Sequence, residues 1–291
     1  MAAYLTQLVT LGILLGGLYA LAAFGLSVIF GVSRVLNVAH GDLLLLGALL
    51  SYGLFFGIGM NPFVTMLVVV PVFLVVGFVF ERVLLRPISR RSPHELLIAS
   101  IILTLGVSMV ISDLSAWATG AADKGIAYSL PSVTLGGVIF PSIRLIIMGV
   151  IIAFTIALNF YLKNSYTGRA MRAITQDREG AMIVGVNIPR VSMITFGIGT
   201  ATAALAGSFY IMLFATNPYL GVPLTVKYLA IIVLGGLGSL PGALLGGIVV
   251  GVAEQLAGFY YGGRWQEPVA LVLLIIILLV RPQGLFGRAS T

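Results

Sequence analysis

No charged side chain interrupts residues 5–32. At 1.5 Å per residue, a helix of that length outspans a hydrocarbon layer of about 30 Å. A water-soluble domain has no place for such a run. It does not read as a leader either: Met-Ala-Ala-Tyr at the start offers no basic region, and the run far exceeds the apolar core of a signal peptide, about 15 residues. Eight more apolar runs follow, at 43–59, 62–80, 96–111, 143–162, 191–215, 226–240, 243–257 and 269–280. Some are too short to cross unless tilted or broken. Of the 291 residues 59% are hydrophobic and 9% charged, against about 45–50% and about 25% in soluble domains. The expected fold is all-α, a polytopic membrane protein of eight or nine transmembrane helices with discontinuous segments. It forms one domain, 1–291, with the bilayer as its main surroundings.

The charges set a direction. Arg82, Arg86, Arg90 and Arg91 share one loop, and Lys163, Arg169, Arg172, Arg178 and Arg190 share another. Arg281 and Arg288 lie in the tail and Arg34 follows the first run, leaving Lys124, Arg144, Lys227 and Arg264 for the other side. Basic loops face the cytoplasm. That places the C-terminus inside and, if all nine runs cross, the N-terminus outside. The net charge of +7 then reflects cytoplasmic loops, and no nucleic acid is implied. The long external segment is 113–143, with Trp117 and Tyr128 suited to an interfacial belt. Within it, Gly136-Gly137 reads as the turn of a small hairpin.

Several chemistries lack their parts. A nucleotide-cradling loop needs Gly-Lys-Ser/Thr, and no lysine here follows glycine. His94-Glu95-Leu96-Leu97 is followed by Ile98, so the second ligand of a zinc helix is missing. His94 therefore reads as a loop or helix-start residue. No Gly-x-Ser-x-Gly elbow exists, and a catalytic triad would have to use His40 or His94. No catalytic residue, metal site or directly bound cofactor is expected. A proton- or sodium-driven carrier would want carboxylates near the midplane. Asp42 and Asp113 lie near span ends, and Glu254 and Gln255 fall where water can solvate them.

Three segments hold polar or glycine-rich sequence at membrane depth or beside it. The first joins Gly31 to Asp42 and carries Asn37, His40 and Gly41. It fits an interfacial turn capped by Asn37 and His40, and equally a gate, since broken backbone at membrane depth belongs beside protein or a water-filled path. The second is 234–247, with Gly238, Gly242 and Gly246 at four-residue spacing, as are Gly247 and Gly251. Small residues so spaced let helices approach closely, while Gly238–Pro241 also suits a hinge. The third is the basic loop 163–190. Asp177 can cap a short helix there and Gly185 can end it. Met182, Ile183 and Val184 give that helix an apolar side, suited to a partner or to the membrane surface.

Together these segments resemble the permease subunits of bacterial ABC importers for branched-chain amino acids, in particular the H-type member of the permease pair. The resemblance rests on 17–42, on Arg169-Ala-Met-Arg172-Ala-Ile-Thr-Gln-Asp177-Arg-Glu179-Gly-Ala181-Met182-Ile-Val-Gly185-Val-Asn187, on 234–243 and on the closing 281–287. It spans nearly the whole chain. Gly180 departs from the pattern and costs the short helix about 1 kcal/mol of propensity relative to Ala.

The resemblance implies a bacterial inner-membrane permease that works by alternating access. Its partners would be a homologous second permease, an external solute-binding protein and two cytoplasmic ATPase subunits carrying ATP and Mg. Thr167, Arg169, Arg172, Asp177, Glu179, Ala181, Met182, Gly185 and Asn187 would form the element that meets an ATPase. Asn37, His40, Gly41, Asp42, Gly238 and Pro241 would belong to the path or its hinge. The solute would be a branched-chain or related hydrophobic amino acid, with urea, short amides and aromatic acids as alternatives.

Overall fold

The computed structural model describes residues 2–89, 91–135, 138–281, 284 and 285. Among them the helices are α1 (Ala2–Ser33), α2 (His40–Ile58), α3 (Met66–Phe80), α4 (Pro93–Thr119), α5 (Ser142–Asn164), α6 (Tyr166–Gln176), α7 (Arg178–Ile183), α8 (Ile188–Leu213), α9 (Gly221–Gly235), α10 (Leu240–Tyr261) and α11 (Gln266–Val280). Nine described segments are long and apolar enough to cross a membrane, in line with the eight or nine expected. The helices α6 and α7 are not among them. This is a multi-pass membrane protein.

Burial sorts the spans into two shells. The apolar windows of α1 and α8 are each 89% buried, whereas those of α4, α5 and α11 are 22%, 17% and 6% buried. Side-chain size explains the inner shell. In α1, Gly12 and Gly16 lie directly on α10: a Cβ at Gly16 would sit 2.6 Å from Ile248 Cα, and one at Gly251 would sit 2.5 Å from Gly16 Cα. Gly247 meets Ala20 in the same way. The α1–α10 contact is the most extensive in the protein. Without interposed side chains the two backbones gain dispersion contacts that leucines would hold apart. The four-residue glycine spacing in α10 is therefore a packing device.

The suspected hinge lies slightly ahead of its expected place. Gly236 and Gly238 have φ of 101° and 78°, which only glycine adopts without strain. The chain breaks there between α9 and α10, and Ser239 caps α10 by accepting from Gly242 N at 3.1 Å. Pro241 falls inside the first turn of α10, where a missing N–H is harmless. It starts a helix and does not form part of the break.

The 113–143 segment also differs in detail. Helix α4 continues through Thr119, so Trp117 stands exposed on its last turn. Tyr128 is half-buried, edge-on to Phe63 at 6.1 Å, and its hydroxyl accepts from Asn61 Nδ2. Asn217 Nδ2 donates to Asp123 at 2.9 Å, and Lys124 bridges Thr216. The segment is thereby strapped to the α8–α9 connection. The hairpin forms, β1 (Val133–Leu135) against β2 (Val138–Phe140) with Leu135 opposite Val138. Its turn, Gly136 and Gly137, lies outside the described residues, as do Arg90, Pro282, Gln283 and 286–291.

At the end of α1 the backbone enters the left-handed region at Arg34, with φ of 51°. A Cβ there costs about 1–2 kcal/mol. Arg34→Gly is accordingly expected to raise stability by about 1 kcal/mol, read as a higher midpoint of thermal unfolding in detergent; an unchanged or lower midpoint counts against the strain.

Candidate functional site

The basic loop folds into a helix pair with tightly specified corners. Ser165 caps α6, accepting from Gly168 N at 3.0 Å. Gly168 itself abuts the Leu162 carbonyl so closely that no Cβ fits. Arg172 Nη1 donates to Leu162 O at 2.6 Å, and Arg169 Nη1 donates to Asn164 O at 2.8 Å. The two guanidiniums thus satisfy the last carbonyls of α5, which have no partner within the helix. On its other side α6 buries Gly168, Ala170, Met171 and Ile174. These join a core with Phe24 and Val28 of α1 and Ile188 and Val191 of α8. Helix α6 is therefore packed directly on the inner shell.

Asp177 caps α7 as expected, its Oδ1 accepting from Glu179 N at 3.0 Å and Gly180 N at 3.1 Å. A Cβ at Gly180 would lie 2.5 Å from Asp177 Oδ2. The residue that weakens helix propensity makes room for the cap. At the far end Gly185, with φ of 82°, donates to Met182 O, and Val186 N donates to Ala181 O, both at 3.0 Å. This pair of bonds is the Schellman closure. Asn187 Oδ1 accepts from Arg190 N and caps α8. Ala181 is buried, Thr167 half-buried and Glu179 exposed. Met182 is 53% exposed, Ile183 86% and Val184 76%. The corners thus present one bare apolar edge.

The α1–α2 break is a buried polar hub. Thr225 Oγ1 donates to Val38 O at 2.7 Å and accepts from Gly41 N at 2.7 Å. Val38 N donates to Thr104 Oγ1 at 2.9 Å. His40 Nε2 donates to Ala22 O at 3.0 Å, and Asn37 Oδ1 accepts from Ala39 N. Asp42 accepts from Ser108 and, at 2.9 Å, from Ser112. Gly221 of α9 faces the same carboxylate with no space for a side chain. Asn37, His40 and Asp42 are essentially without solvent exposure. Asp42 lies near a span end as expected, in the first turn of α2, and is buried there. The structure gathers Asn37, His40, Gly41 and Asp42 into one cluster with α4 and α9. Gly238 sits elsewhere, against Gly31 of α1, and Pro241 joins neither group.

The sequence reading missed two buried polar groupings, one a partner of this hub and one apart from it. On α4, Ser100, Thr104, Ser108, Ser112 and Ser115 are all buried. Their spacing of three and four places them on one helix face, and that pattern was readable beforehand. The second is a charge pair. Glu254 is 2% exposed and pairs with Lys227 of α9 at 3.0 Å. Tyr19 Oη donates to Glu254 at 2.8 Å, and Lys227 Nζ lies 4.8 Å from the centre of the Tyr19 ring. The reading of Glu254 as water-solvated is overturned. Lys227 lies about 9 Å in from the start of α9 at 1.5 Å per residue, and α1 and α9 cover both members.

The model of the branched-chain amino acid transport system permease component matches residues 8–279. The high-affinity branched-chain amino acid transport system permease protein LivH of Salmonella typhimurium is 32% identical, over 98% of this chain and 96% of its own. BraD of Pseudomonas aeruginosa, a permease protein described in the same words, is 31% identical over the same shares. The solved structure of PsaBC from Streptococcus pneumoniae in complex with Fab aligns at a TM-score of 0.53 and 12% identity, with 98% of each chain covered, a likeness of fold alone. With nine apolar spans, a broken first pair of helices and a family match along nearly its whole length, the chain belongs to the permease-component family of branched-chain amino acid transport systems.

Proposed function

We propose that this chain is one of two homologous permeases of an ATP-driven importer, carrying branched-chain or related hydrophobic amino acids inward by alternating access. The observation that carries the reading is the α6–α7 unit. It is rigidly cornered, keyed into α1 and α8, and bare at Met182, Ile183 and Val184. A partner that seats this edge gains burial of apolar surface and moves the inner shell through α6. In this reading 163–190 is the cytoplasmic coupling loop and 113–143 the external segment, with the N-terminus outside and the C-terminus inside. Two ATPase subunits supply ATP hydrolysis and Mg, and an external binding protein supplies the solute. The chain itself is no enzyme. The buried hub at Asn37–Asp42 and the break at Gly238 act as hinge points of the movement that opens the path.

Reconstitution tests this. Proteoliposomes containing both permeases, the ATPases and the binding protein are expected to take up leucine only when ATP is supplied. The chain alone is expected to show neither ATPase activity nor active uptake. Uptake by the chain alone in ATP-free liposomes overturns the proposal.

A further inference from the structure

At the end of the bundle that bears α6 and α7, a hollow of about 540 Å³ opens between two separate elements. One wall is the end of α3 and its continuation, with Arg82, Arg86, Pro87 and Ser89. The other is α7 and the start of α8, with Arg178, Met182, Ile188 and Pro189. Helix α3 runs on through a π-turn, Glu81–Leu85, into a 3-10 turn, Arg86–Ile88. Widened turns of this kind are frequent where a helix re-aims its side chains for function.

Three guanidiniums converge here, and none has an ion-pair partner among the described residues, where Lys227–Glu254 is the pair found. Two acidic groups lie nearby. Glu81 is buried with Ser192 as hydrogen-bond partner and offsets part of the Arg86 charge, and Asp177 caps α7. Burial, and then the charge of Arg34, push the Arg178 guanidinium below its ordinary pKa. Arginine remains charged under such a push, so a partly desolvated guanidinium stands here within reach of a second cation, Arg34. An anion placed in the hollow would offset their charge.

The surface leading to the hollow identifies the kind of anion. Val72, Val75 and Val79 are exposed on α3, and the stripe they begin continues at spacings of three and four to Arg82 and Arg86. An apolar track that ends in a pair of arginines at the end of a membrane span matches an acyl chain ending in a phosphate. Basic pockets between helix ends take anionic headgroups in this way. Two parallel N–H bonds from each guanidinium suit a phosphodiester. Of the bare edge only Met182 reaches the lining, while Ile183 and Val184 face away from it and remain open to a different ligand.

We infer that this hollow is a binding site for an anionic phospholipid, whose headgroup joins the end of α3 to the coupling helix α7 and whose acyl chain lies along the Val72–Val79 track. The regulatory part rests on the proposed coupling role of α7; the lipid site itself does not. A bound headgroup would tie α7 to the outer shell and make coupling sensitive to the charge of the bilayer.

Native mass spectrometry of the full chain, extracted from mixed phosphatidylglycerol and phosphatidylcholine membranes, tests the site directly. The wild-type chain is expected to retain phosphatidylglycerol selectively. Arg82→Gln/Arg86→Gln is expected to weaken that selectivity about thirtyfold, the effect of withdrawing two charges from an anionic headgroup. Arg178→Gln, on the opposite wall, should weaken it in the same direction. All of these side chains are surface-accessible, and an unchanged melting temperature certifies the fold. Equal retention by wild type and both variants overturns the site, whether or not the complex transports amino acids. Displacement of the lipid by millimolar inorganic phosphate would mean that the acyl track contributes nothing, and would overturn it also. In nanodiscs of the full complex, coupled ATPase activity should be higher with phosphatidylglycerol than with phosphatidylcholine alone. Loss of the ATPase subunits in the arginine variants, with lipid retention intact, would assign the hollow to acidic side chains of the ATPase and overturn the lipid assignment.

Discussion

Replacing Lys227 by Met is expected to cost about 3–5 kcal/mol of stability, because it leaves the Glu254 carboxylate buried without a counter-charge. Tyr19 would still donate its hydroxyl to that carboxylate, but one hydrogen bond does not replace a charge. The revealing comparison is with Lys227→Met/Glu254→Leu. Two ions of opposite sign, desolvated together, gain in attraction about what they lose in hydration, so an apolar pair of similar volume is close to neutral. Thermal unfolding in detergent should show a large drop for the single variant and recovery of most of it in the double variant. Equal drops in both would mean that packing around Lys227, and not its charge, is what the fold needs. If the double variant folds but transports poorly in the reconstituted complex, the pair has work to do beyond holding α9 against α10.

The second large effect belongs to the bare edge of α7. Ile183→Asp/Val184→Asp is expected to reduce coupled uptake about thirtyfold or more, the loss that follows when central apolar anchors of an interface are removed. Stability should stay within about 0.5 kcal/mol, because exposed positions away from caps and cores rarely matter more. Uptake by proteoliposomes and the melting temperature of the same preparation check the two halves. A normal rate of uptake would remove this edge from the docking surface.

The sequence made the spans and the ends of the short helices legible, because those signals are local. Charge-free runs of transmembrane length, Asp177 ahead of a helical turn and Gly185 behind it each act within a few residues. The failures are tertiary. Glu254 looks solvated when depth along one helix is the only measure. Its burial comes from Tyr19 and Lys227, which are remote in the chain and arrive only when α1 and α9 close over α10. Asp42 lies near a span end in the sequence, and its enclosure by Ser108 and Ser112 of α4 is likewise a tertiary contact. Gly180 shows the opposite error. Average propensity counted it as a weakness, whereas its value lies in a contact with Asp177 three residues away. Pro241 reads as the end of the Gly238–Pro241 break, yet at the first turn of α10 it begins a helix.

The glycine seam between α1 and α10 has a practical use. A contact made mainly of backbone on backbone has few rotamers to exchange and cannot slide without a clash. Distances across it should therefore read the same in every state of the transport cycle. Spin labels placed at Tyr4 and Phe259, both exposed on these two helices, would form a built-in ruler. The displacement of α4, α5 or α7 could then be measured against it, in the resting complex and during turnover.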